Sequence, residues 1–506
     1  TASFFDSSRD GRHVGEFQMA RGTAATPRCT TARHPLVSTS AASFGARMVD
    51  DSIPLYLDRP SGVCGDTIAI HVGSEHPATT VIRAFRIGWY SGTGSRLVWS
   101  SNHIRVPVVH FRSITKDSIP SPHWPTAASM HIDSSWEPGL YAITTTVGKR
   151  LTGIAEFVVR NTRVNHAAIV IYSGLTNAAY STFGGASLYR RVAGTDSATS
   201  VALQRPLILN GRVSFTEYDI PTAQVLDHIG LAVDPVIDTD VNSNPSLLGS
   251  RAEIVVAGHS EYWTKSMYDA LLKAQSVGTN VAVLGANEIY WQTRVQMNSL
   301  GQPISMFVAR KREADPLATT HPELTTVRWR DAPLTNDPAG HLGESYSVTR
   351  AHGSLQIVSL PNWLSGIPGL RPGAVLAGVA AGEVDGPQTS TPMATPSATQ
   401  IVGFGLLKNA QGRVAYLGMT YYTDPHGSAV FQFGTTKWPC QLMTSCTTDN
   451  TSRTTRKIQW GLTSTVLRNF LHRDWAASHP SMPSTKSLSA LQAILRPQAV
   501  GSFGKE

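Results

Sequence analysis

His259, Glu261 and Asn287 are of the types that move protons, bind cations and steady a developing oxyanion. They sit in two segments of similar form, residues 253–263 (EIVVAGHSEYW) and 280–291 (NVAVLGANEIYW). An imidazole works as general base or proton shuttle near neutral pH, because its unperturbed pKa is about 6.5. A strand-end carboxylate can ligate a hard cation. A carboxamide can orient a carbonyl or stabilise the oxyanion that forms from it. Each segment is an apolar run too short for a helix, followed by a small-residue turn, the polar residues and a Tyr-Trp dipeptide. Between them Met267, Ala270, Leu271 and Ala274 recur at helical spacing, with Gly278 where a cap belongs. The spacing predicts a strand–helix–strand unit with parallel strands. In open α/β sheets the functional crevice lies beyond the carboxyl ends of the strands, which brings His259, Glu261 and Asn287 to one edge.

Two further oxygen donors belong to the same chemistry. Glu383 closes the apolar, small-residue run 376–385, and Tyr180 lies in a polar loop after the buried-strand run 167–173. Tyr180, Glu261 and Glu383 together make a hard, anionic oxygen set, which favours ferric iron. A strand-end Glu also serves as a cap or ion-pair partner, and a loop Tyr as packing, so residue types alone leave this set open. The familiar hydrolase motifs are missing from the sequence: there is no Gly-x-Ser-x-Gly elbow, no phosphate-binding Gly-rich loop and no His-Glu-x-x-His helix. A metal-activated water fits what remains.

The elements that must position these groups fall into four stretches. Residues 1–48 read as an extended arm without sustained periodicity. Residues 49–162 carry short β-branched and aromatic segments separated by Gly, Pro, Ser and Asp, the pattern of an all-β sandwich. Residues 163–480 alternate strands with helices, including a helix near 221–230, and predict a doubly wound α/β sheet closed by an amphipathic helix near 460–471. Residues 387–399 are a low-complexity loop, and 481–506 a C-terminal tail.

Composition narrows the setting. Charged residues make up 15% of the 506, and the net charge of +8 is spread thinly. No basic stripe or motif supports nucleic-acid binding, and no stretch approaches the ~18 apolar residues that span a membrane. Cys29, Cys64, Cys440 and Cys446 suit two disulfides, Cys29 with Cys64 and Cys440 with Cys446, as in an exported protein. The start of the chain, neither Met nor a signal peptide, suggests a mature form whose leader has been removed. The expected location is secreted, extracellular or periplasmic.

Five segments in order resemble the large (beta) subunit of the N,N-dimethylformamidase family. They are residues 86–96 (RIGWYSGTGSR), 177–189 (NAAYSTFGGASLY), 258–263 (GHSEYW), 285–291 (GANEIYW) and 382–385 (GEVD), within roughly residues 50–390. The resemblance implies a β-sandwich before an α/β domain similar to class I glutamine amidotransferases. It implies one ferric iron held through a tyrosinate and two glutamates, carried over to Tyr180, Glu261 and Glu383. His259 and Asn287 match the histidine and asparagine near the iron, and a small partner subunit accompanies the family enzyme. Tyr172, Tyr189 and Tyr262 are further phenols nearby. Glu288 is either another carboxylate near the metal or a solvent-facing ion-pair partner. The expected activity is amide hydrolysis of a small-molecule or cell-envelope C–N bond, by this chain alone, as a homo-oligomer or with the small subunit. Two rivals stand beside it: a glycan hydrolase using Glu261 and Glu383 as paired carboxylates, and a non-catalytic extracellular binding protein.

Overall fold

A computed structural model describes residues 50–111, 117–189, 197–208, 214–388, 394–408, 414–446 and 449–483, with 491, 498 and 499. The expected arm 1–48, with Cys29 and its pairing to Cys64, lies outside the described residues, as does most of the tail 481–506. Cys64 itself is buried.

The first part of the chain forms strands β1 (Leu55–Leu57), β2 (Thr67–Val72), β3 (Ala78–Ile87), β4 (Ser95–Ser100), β5 (Thr126–His131), β6 (Gly139–Val147) and β7 (Arg150–Val159). They make two sheets, ordered β1–β2–β5 and β7–β6–β3–β4. Period-two alternation turns Ile68, Ile70 and Val72 of β2 inward, where they meet Ile82, Ala84, Tyr141, Ile143, Ala155 and Phe157 of the other sheet in one apolar core. The opposite face of that second sheet is also covered. Phe85, Ile87, Leu140, Ala142, Ile154 and Val158 join the core of the following part of the chain. Because β7 has no solvent face, Glu156, which lies between Ala155 and Phe157, is 6% exposed. It accepts a hydrogen bond from Asn177 Nδ2 at 2.8 Å, and Asn177 also donates to Asp219 Oδ2 at 2.9 Å. The 86–96 segment makes a second junction, where the Trp89 amide donates to Asp227 Oδ2 at 2.7 Å.

The second part contains β8 (Ala168–Tyr172), α1 (Gly174–Tyr180), α2 (Asp219–Ile229), β9 (Val233–Ile237), β10 (Glu253–Val256), α3 (Lys265–Gln275), β11 (Asn280–Val283), β12 (Ser345–Ile357), β13 (Val375–Gly386), β14 (Gln400–Lys408), β15 (Val414–Thr423), β16 (Ala429–Gln432), α4 (Trp438–Met443) and α5 (Arg453–Asn469). The main sheet runs β9–β8–β10–β11–β16–β15–β14–β12–β13. The chain is thus mixed α/β. The expected strand–helix–strand unit is β10–α3–β11, with Ile254 opposite Val281 in parallel register. Thr264 caps α3 by accepting from the Met267 amide at 3.3 Å, and Met267, Ala270, Leu271 and Ala274 are buried.

Two expectations change. From β9 to β16 the sheet is parallel, but from β16 to β13 it is antiparallel, so it is not doubly wound throughout. Tyr180 ends a short helix rather than lying in a loop. Asp238 Oδ2 accepts from the Leu175 amide at 2.7 Å in its first turn, and Leu175, Ala178 and Ala179 bury one face. The Cys440–Cys446 disulfide is present beside α4. Among the described residues no helix is long and apolar enough to cross a membrane.

Candidate metal centre

Strands β10 and β11 end side by side, and the loops that follow them are pressed together. A Cβ on Gly285 would lie 2.0 Å from the carbonyl oxygen of Gly258, so only glycine allows this approach. The Tyr262-Trp263 dipeptide then pairs in parallel with Trp291-Gln292, Tyr262 opposite Trp291 and Trp263 opposite Gln292. This short ladder extends past the sheet edge and fixes both loops. Asn287 and Ile289 take left-handed backbone conformations, φ +56° each. Such positions cost about 1–3 kcal/mol and persist where the surroundings over-determine them.

His259, Glu261 and Asn287 emerge from these loops at 2%, 1% and 2% exposure. Tyr180 arrives from the end of α1 and Glu383 from β13. The Tyr180 hydroxyl donates to Glu261 Oε2 at 2.7 Å and lies 2.9 Å from His259 Nε2. His259 Nε2 is also 3.5 Å from Glu383 Oε2 and 3.8 Å from Glu261 Oε2. Asn287 Nδ2 donates to Glu383 Oε2 at 2.6 Å. Tyr180, Glu261 and Glu383 therefore meet around one imidazole nitrogen, and Asn287 joins them through Glu383. Tyr189 adds a second phenol, bonded to Glu261 Oε1 and accepting from Trp291 Nε1 at 3.0 Å. Tyr172 is buried instead in the core on the far face of the β7–β6–β3–β4 sheet.

The supporting bonds explain why the side chains point as they do. Thr176, one turn before Tyr180 on α1, accepts from the Glu261 amide at 2.9 Å. Asp385 Oδ1 accepts from the Asn287 amide at 2.7 Å. Glu288 does not face solvent: it is 3% exposed, and its Oε2 accepts from the Ser260 amide at 2.6 Å, between His259 and Glu261. Its role here is to tie one strand-end loop to the other. Glu288→Ala leaves that buried amide without a partner, which is expected to cost about 1–3 kcal/mol. A thermal unfolding midpoint equal to that of the parent would refute the tie.

Electrostatics decide what the site needs. Burial, and then the neighbouring Glu383, push the Glu261 carboxyl up to about 8. Burial followed by Glu261 raises the Tyr180 phenol far above its ordinary range. Burial lowers the His259 imidazole, so its neutral form is favoured. With Nδ1 3.3 Å from the Ala286 carbonyl oxygen, Nδ1 carries the hydrogen and Nε2 keeps its lone pair. Glu261, 1% exposed and pressed against Glu383 and two phenols, must either hold a proton or share a cation. The buried Asn287 Oδ1 also lacks a partner. This donor set fits a hard metal ion. Among the described residues no group of three or more His, Cys, Asp or Glu is arranged to hold one. A cavity of about 490 Å³ lies elsewhere, lined by Arg86, Glu137, Tyr172 and Asp227 among others. It holds none of the five residues, so the case for the site rests on its donors.

Fold and site define a mixed α/β protein whose strand-end loops bring a buried imidazole and carboxyl against further carboxyls and phenols. Residues 81–451 match the family model described as "N,N-dimethylformamidase beta subunit-like, C-terminal", and the chain belongs to that family. The family suggests a hydrolase acting on C–N amide bonds. No curated protein matches the chain.

Proposed function

We propose that the chain is a secreted amidohydrolase that cleaves a non-peptide C–N amide bond with one ferric ion, held through Tyr180, Glu261 and Glu383. The observation that carries this reading is the meeting of Tyr180 Oη with both Glu261 Oε2, at 2.7 Å, and His259 Nε2, at 2.9 Å. Tyr189, bonded to the other Glu261 oxygen, rivals Glu383 as third donor. The parallel half of the main sheet is read as glutamine amidotransferase-like, and the two facing sheets before it as a β-sandwich domain, with boundaries at 49–162 and 163–480. The Cys440–Cys446 disulfide supports export. The substrate class is a small-molecule or cell-envelope amide, and a small partner subunit accords with the family's description as a beta subunit.

When bound, ferric iron held by Tyr180, Glu261 and Glu383 would supply Lewis acidity to activate water and polarise the amide. The protein's own groups do the rest. His259, its Nδ1 facing the Ala286 carbonyl, presents Nε2 to take a proton from the attacking water and return it to the leaving amine. Asn287, held by Glu383 and Asp385, orients the substrate carbonyl. Near-complete burial strengthens each of these interactions.

Elemental analysis with a visible spectrum tests the reading. About one iron per chain is expected, with a phenolate-to-iron charge-transfer band that Tyr180→Phe abolishes. Between Tyr189→Phe and Glu383→Gln, the substitution that lowers iron content identifies the third donor. Protein produced with ample iron that carries no metal would sink the proposal.

A further inference from the structure

Arg205 touches none of the five site residues, yet it ends on the turn that carries Tyr180. It is 2% exposed, and its hydrogen bonds all go to main-chain carbonyls. Nη2 donates to Ala178 O at 2.6 Å and Ser181 O at 3.0 Å, Nη1 to Phe183 O at 2.9 Å, and Nε to Ala202 O at 3.0 Å. Among the described residues it makes no ion pair. Burial pushes its pKa down to about 9, which still leaves it charged near neutral pH. A buried cation without a counter-charge is expensive, so its acceptors matter.

Those acceptors flank Tyr180. Helix α1 ends there, and Ser181 leaves it with φ −57° and ψ 130°, so the last carbonyls have lost their helical partners. Residues 202–208 brace the same turn. Ser181 Oγ donates to Pro206 O at 2.8 Å and accepts from the Ile208 amide at 3.0 Å, while the Thr182 amide donates to Ile208 O at 2.6 Å. A planar guanidinium has donors fanned in fixed directions and can gather four carbonyls at once, whereas an ammonium is a point charge on a flexible stem.

We propose that Arg205 is the positioning residue for the Tyr180 phenol: by holding the carbonyls on both sides of Tyr180 it fixes where the phenol oxygen meets Glu261 and His259. This rests on the iron reading above. The test compares the parent protein, Arg205→Lys, Tyr180→Phe and the double variant. Iron affinity is measured by chelator competition, the charge-transfer band per bound iron by absorption, and the unfolding midpoint on metal-free protein. Arg205→Lys is expected to weaken iron binding about tenfold and to cut the band per iron to about half or less. In the Tyr180→Phe background it is expected to weaken binding no further, because the two residues act as one unit.

An unchanged band and affinity in Arg205→Lys would overturn the proposal, as would the same loss in both backgrounds. A parent protein that binds no iron overturns the iron reading and this proposal together, so the two failures are distinguishable. If Arg205→Lys does not fold, Ser181→Ala loosens the same turn without burying a different cation. It should lower the band in the same direction, and an unaltered band there would equally refute the role.

Discussion

Glu261→Gln is expected to strip the metal from the protein and leave the fold standing. Each Glu261 oxygen is engaged by a different phenol, Tyr180 on Oε2 and Tyr189 on Oε1, so this carboxylate is the centre of the donor set. Glutamine keeps the shape, but turns one acceptor into an NH2 group and removes a negative charge that the cation needs. Changes one shell further out cost about 10–100-fold in metal affinity, and loss of the central ligand should exceed that. Iron per chain should therefore fall close to zero. The metal-free fold should not suffer, because burial already works against the charged form of this carboxyl, and a neutral amide relieves its repulsion from Glu383. Iron content and amide hydrolysis both surviving in Glu261→Gln would show that the site has been assigned wrongly.

His259→Gln should give the opposite separation: metal retained, turnover lost. Nε2 faces Tyr180, Glu261 and Glu383 at 2.9, 3.8 and 3.5 Å, which lets it reach whatever those oxygens hold. A positioned general base contributes about 10²–10⁴-fold, and kcat for an amide substrate should fall by a factor within that range. The amide of glutamine can still hydrogen-bond to the phenol, but it has no lone-pair nitrogen to accept a proton. Iron content and the charge-transfer band should stay near those of the parent. A kcat within about twofold of the parent would remove His259 from the proton path.

The floor of the site was legible because its elements obey simple periods. Two apolar runs with a helical stripe between them predict adjacent parallel strands, and adjacency brings His259, Glu261 and Asn287 together. The antiparallel half was not legible, and residue types alone left the role of Glu383 open. In β13 the alternation that marks a strand is broken by Gly378 and Gly382, at φ +73° and +76°, and pairing with β12 slips at several points. Such bulges re-aim side chains toward a site while erasing the two-residue period. Glu383 stood out only as the carboxylate closing the run 376–385, and family resemblance gave it the role of ligand. Thr176, Asp385 and Glu288 were missed as supports, since each acts on the main chain of a residue far away in sequence. A buried carboxyl that accepts a remote amide looks, in sequence, like any surface acid. Only the strand-end geometry shows which amide it serves.

The junction at Asn177 has a consequence for how this chain can be inherited or cut. Its amide binds Glu156 from the last strand of the first part and Asp219 from the second helix of the next, on the same short helix that presents Tyr180. A gene fusion or proteolytic cut near residue 160 would leave Asn177 half-satisfied and strip the cover from a helix aimed at the site. Recombination should therefore respect this seam. The front sheets and the helix behind them have to travel between genomes as a single cassette.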